Sequence, residues 1–123
     1  MKDRDKTILI AIRSSQEAAR EAIKAWKRAE RGKPVEEPVN RLYFTDEATL
    51  FKTLSTKRRE LLKFLRSTGS LSMKRLSEQL GRDYKNVHSD IKLLTRLGLV
   101  DFDKESKVFV PWDRIALEIA LAA

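Results

Sequence analysis

The chain has 123 residues, room for one domain and a modest extension. Its 26 Lys and Arg outweigh 18 Asp and Glu, and the net charge of +8 favours a polyanionic partner, nucleic acid before membrane. The absence of cysteine excludes disulfides and thiolate metal sites, and the apolar run 8–12 is too short for a membrane span or a secretory core, so the expected location is the cytoplasm.

Residues 6–12 (KTILIAI) form a short β-prone run. Residues 14–31 read as a helix, with Ser14 or Ser15 as N-cap and Gly32 as stop. Its apolar side holds Ala18, Ala19, Ala22, Ile23, Trp26 and Ala29. Two prolines mark 32–40 as a linker. A strand over 41–45 and a short helix near 46–54 follow, the helix burying Leu50, Phe51 and Leu54. The next helix covers 56–67, capped by Ser55, with Leu61, Leu62 and Leu65 turned inward.

Ser72 caps a third helix, and Leu71 and Leu76 have the spacing of a hydrophobic staple. Met73, Leu76 and Leu80 make its inner face, and Gly81 ends it. Asp83 caps a fourth helix, 84–97, which stops at Gly98. Two short strands around a turn at 103–106 come next, with Val100 and Phe102 on one side of the first and Val108 and Val110 on one side of the second. Pro111 closes the ladder. Residues 114–121 alternate and read as a strand, with a helix as the fallback.

Two helices, a tight turn and a two-stranded hairpin make a winged helix-turn-helix pattern, which places its second helix in the major groove of DNA. On a helical wheel of 84–97, Val87, Ile91 and Leu94 fall together. Lys85, Ser89, Lys92 and Arg96 fall on the opposite side, within about 60° of one another, with Asn86 and His88 on the flanks. Arg and Lys donate to guanine O6 and N7, Asn pairs with adenine, and Ser or Lys binds phosphate. Arg82 in the turn is placed for the backbone or the first base. Lys74, Arg58, Lys104 and Lys107 are further candidates for phosphate contact, although Asp103 and Glu105 in the hairpin turn oppose DNA. A solvated basic face is the plainer reading of such a helix; the preceding helix, turn and hairpin favour DNA. No glycine-rich phosphate loop, HExxH motif or nucleophile elbow is present, so no catalytic residue, metal site or cofactor is expected.

The segments LSTKRRELLKFL (54–65), GSLSMKRLSEQLGRD (69–83), KNVHSDIKLLTRLGLV (85–100) and VFVPWDRI (108–115) resemble small prokaryotic winged-helix regulators of the MarR/ArsR-type class, including TumA-like antitoxins. The resemblance implies DNA-binding transcriptional regulation, with Arg82, Lys85, Asn86, His88 and Lys92 at positions that meet DNA. The expected architecture is α+β: a strand–helix extension and linker over 1–40, then a winged helix-turn-helix domain over 41–123 with a C-terminal strand. The expected function is a dimeric repressor. The alternative is an antitoxin that neutralises a small toxin and autoregulates its operon in a toxin–antitoxin system. For either, Ile8, Ile10, Ile12, Ala22 and Trp26 of the arm are the expected dimer or partner surface.

Overall fold

A computed structural model describes residues 6–32 and 40–122. The sequence-read linker lies mostly outside them. The protein is mixed α and β, with five helices and short strands among the described residues. In chain order these are β1 (Thr7–Ile12), α1 (Ser15–Glu30), β2 (Asn40–Phe44), α2 (Glu47–Thr53), α3 (Thr56–Thr68), α4 (Met73–Leu80), α5 (Tyr84–Arg96), β3 (Asp101–Phe102), β4 (Val108–Phe109) and β5 (Arg114–Glu118). No described helix is long and apolar enough to cross a membrane.

The chain forms two compact units, one containing Leu54–Asp113, the other containing Thr7–Thr53 and Arg114–Ala123. This differs from a boundary after residue 40. The second unit is built on a parallel sheet of order β2-β1-β5, so the first and last strands of the chain are neighbours. The reason lies in β1. Ile8, Ile10 and Ala11 are buried, so the strand is covered on both faces, as a central parallel strand must be. Ile8 and Ile10 are therefore buried within the chain and are not a surface for another one, and Ile12 is half-buried. Phe44 and Leu50 join them, whereas Phe51 stays exposed, contrary to its apolar character.

Helix α1 begins with a capping box. The Ser14 hydroxyl accepts from the Glu17 N–H, and the Glu17 carboxylate accepts from the Ser14 N–H. None of its residues is buried. Polar ties around Glu21 hold it: Arg13 Nε at 3.3 Å, Arg41 Nη1 at 3.5 Å, and the Tyr43 hydroxyl. The Tyr43 hydrogen bond, ahead of the two arginines, holds the Glu21 carboxyl below its ordinary value.

The first unit packs α3, α4 and α5 around Leu61, Leu65, Leu76, Val87, Ile91, Leu94 and Leu99. Ser55 and Ser72 cap α3 and α4 by accepting the N–H of Arg58 and Arg75. Gly81 ends α4 at φ 65°, a left-handed conformation that suits glycine, and leaves only a short turn before α5. After α5 the antiparallel pair β3–β4 forms a hairpin. Leu71, just ahead of α4, exchanges two backbone hydrogen bonds with Val108 at 2.8 and 3.0 Å, so the start of α4 is pinned to the hairpin.

Candidate functional site

The inner side of α5 is fixed by packing, since Val87, Ile91 and Leu94 are fully buried. Its outer side follows from the same 3.6-residue period. Lys85, Asn86, Ser89, Lys92 and Arg96 are exposed, and His88 is half-buried. The structure thus brings the sequence-read ridge together on one solvent-facing side. Lys74, on α4, is exposed as well.

Arg58 and Arg82 have a structural role that the sequence reading does not include. Both turn toward Asp90, a buried carboxylate on α5. Arg58 Nε donates to Asp90 Oδ1 at 2.9 Å, and Arg82 Nη2 donates to Oδ2 at 2.8 Å. One carboxylate therefore ties α5 to α3 and to the α4–α5 turn. A charge this buried needs such partners, because desolvation is costly unless it is paired and hydrogen-bonded. Arg82 Nη1 is enclosed and has no partner among the described residues. Asp90 was missed because its place on the wheel, beside the apolar stripe, says nothing of its partners. The available signal was that it is the one acid in an otherwise basic helix.

Beside α5 runs an open groove of about 460 Å³, lined by Met73, His88, Ile91, Lys92, Thr95, Arg96 and Phe102. Phe102 is 43% exposed at its edge and does not join Val100 in the core. The β3–β4 strands are two residues long, and a side chain so near the turn runs past the packed layer. The Tyr84 ring lies 5.9 Å from that of His88, centroid to centroid.

Asp103 organises the hairpin turn. Its Oδ1 accepts the N–H of Glu105 and of Lys107, each at 2.9 Å. The Lys107 N–H is the main reason its carboxyl lies below the ordinary range. Lys104 and Lys107 are exposed, with Lys107 Nζ 3.5 Å from Glu105. Trp112 Nε1 donates to the Gly98 carbonyl at 2.8 Å and so anchors the chain where it leaves α5. Trp26, by contrast, is 64% exposed on α1 and packs against little of its own chain, with Ala22 exposed beside it. Among the described residues no cluster of His, Asp and Glu could hold a metal ion.

No curated protein and no solved structure matches the chain. A protein-family model described as HVO_A0114 matches residues 53–117, a span from the end of α2 into β5 that takes in all of α5 and the hairpin. That span is more than half of the sequence, and the chain belongs to the HVO_A0114 family.

Proposed function

We propose that this protein is a DNA-binding transcriptional regulator of the winged helix-turn-helix, MarR/ArsR-type class, acting in the cytoplasm as a dimeric repressor. In this reading α4 and α5 are the helix-turn-helix, α5 enters the major groove and β3–β4 is the wing. The observation that carries it is the exposed face of Lys85, Asn86, Ser89, Lys92 and Arg96, on a helix whose other side is locked in the core. Lys and Arg supply phosphate and guanine donors, and Asn86 supplies the paired donor and acceptor that adenine requires. Asp90, held by Arg58 and Arg82, fixes the angle of that face. Lys104 and Lys107 add positive charge, which Glu105 partly offsets.

The test is binding to selected DNA sites across a salt series, read by fluorescence anisotropy. With several phosphates neutralised per subunit, a dimer gives a log–log slope of roughly −5 to −9. Lys92→Ala lowers the magnitude of the slope by about 0.9 per subunit. A flat response between low and physiological salt overturns the reading.

A second reading is an antitoxin that binds a small toxin through α1. The exposed Ile23 and Trp26 on that helix favour it. A stoichiometric protein recovered from the native host with the wild-type chain and lost with Trp26→Asp supports it. Recovery of no such protein with either chain removes it.

A further inference from the structure

We propose that the outer edge of β5 is a self-docking surface, on which a second copy of this chain adds its own β5 antiparallel, about a two-fold axis at Ala116. This names the contact behind the dimer of the proposed function, and its test needs no DNA.

Strand β5 lies at the edge of the parallel sheet, with β1 on its inner side. Among the described residues, the backbone of Ile115–Glu118 makes no hydrogen bond beyond that ladder. An open edge presents a row of N–H and C=O groups ready for another strand, and proteins usually blunt it with proline, charged side chains or a bulge. Residues 114–118 (RIALE) contain no proline, pair with β1 in unbroken register, and carry their two charges at the strand's ends, one of each sign.

The occupant follows from the side chains. A two-fold contact is self-complementary, so residue i meets j and j meets i. Antiparallel pairing centred on Ala116 sets Arg114 opposite Glu118 of the second copy, and Glu118 opposite Arg114. On the other face it sets Ile115 opposite Leu117, twice. Ion pairs on one face and apolar pairs on the other are the cross-strand combinations that stabilise such ladders. Leu117 is 46% exposed in the single chain and gains cover. Arg13 Nη2 holds Glu118 Oε1 at 2.7 Å, leaving Oε2 for the incoming guanidinium. Shifting the centre by one residue removes both ion pairs, so charge also sets the register. The opposite edge, β2, lacks this property: centred on Leu42, it sets Arg41 against Tyr43 and forms no ion pair.

The experiment is the mass of the full-length protein by light scattering over about 1–100 µM, the range of an interface of modest size. The wild-type chain is expected to dimerise. Arg114→Glu and Glu118→Arg each bring like charges together and weaken the dimer by about tenfold or more. An equimolar mixture of the two variants restores it, because one copy then carries two carboxylates and the other two guanidinium groups. Circular dichroism confirms that each variant is folded. Since the chain has no cysteine, Ala116→Cys supplies a unique thiol at the two-fold axis, and a short bis-maleimide, which adds to one thiol at each end, then yields a covalent dimer. A monomeric wild-type protein, an Arg114→Glu variant that dimerises as wild type, or Ala116→Cys that does not cross-link overturns the proposal. If Glu118→Arg fails to fold, having lost the Arg13 contact, Arg114→Glu and the cross-link still decide.

Discussion

Asp90 and Asn86 sit four residues apart on α5 and do opposite work. Asp90 is buried and answers two guanidinium groups, so removing it takes away the carboxylate that Arg58 and Arg82 share. Asp90→Ala is expected to lower the unfolding free energy by about 2–3 kcal/mol in urea denaturation, less than for a fully buried pair because both arginines reach solvent. Asn86 is exposed, so Asn86→Ala changes stability by less than about 0.5 kcal/mol. Under the proposed function, the same change is expected to cost about 1–3 kcal/mol on a specific DNA site, with little effect on random DNA. Equal losses on both DNAs would show that Asn86 reads no base. A third residue tests backbone strain. Ser106 in the hairpin turn has φ 64°, a left-handed conformation that costs a side-chain-bearing residue about 1 kcal/mol. Ser106→Gly relieves it at the cost of a more flexible unfolded chain, so the thermal midpoint is expected to hold or rise slightly, whereas Ser106→Val lowers it.

At the scale of elements, α1 is the weakest attachment among the helices. It buries no residue, and Glu21 carries its ties to Arg13, Arg41 and Tyr43. Because the folded Glu21 carboxyl lies below its ordinary value of 4.5, the stability it contributes is present above that value and is lost as pH falls through the depressed one. Native-state amide exchange measures this directly. Protection of α1 is expected to be full near about pH 6 and to fall below about pH 4, while α5, held by Val87, Ile91 and Leu94, keeps its protection. Glu21→Gln should lower α1 protection at neutral pH. Loss of protection in both helices at the same pH would mean that α1 does not open by itself.

For the whole molecule, the sheet order decides which pieces can stand alone. Residues 54–113 contain the core from Leu61 to Val108 and its hairpin. That segment is expected to unfold cooperatively in isolation, with the modest stability usual for about 60 residues. A chain starting at Arg41 is longer yet less sound. It lacks β1, the middle strand, and leaves β2 and β5 with no neighbour. It is expected to aggregate, and light scattering of the two fragments side by side makes the comparison. A well-behaved 41–123 fragment would show that the parallel sheet contributes little.

Element boundaries and the apolar side of each element are legible in the chain alone. Ser14, Ser55, Ser72 and Asp83 stand at helix starts, and Gly81 and Gly98 adopt positive φ just past helix ends, because capping and turn geometry depend on only a few neighbouring residues. The outward ridge of α5 was legible for the same reason, since a period of 3.6 places Lys92 and Arg96 opposite Ile91 and Leu94. Periodicity does not say what covers an apolar face. Long-range pairing sets Ile8 and Ile10 between β2 and β5, strands far apart in the chain, and three-dimensional packing leaves Phe51 and Trp26 exposed. Likewise a carboxylate's partners lie in space and not in the local sequence. Asp90 takes Arg58 from 32 residues away and Arg82 from eight, and the two bonds brace α5 against α3 and the α4–α5 turn.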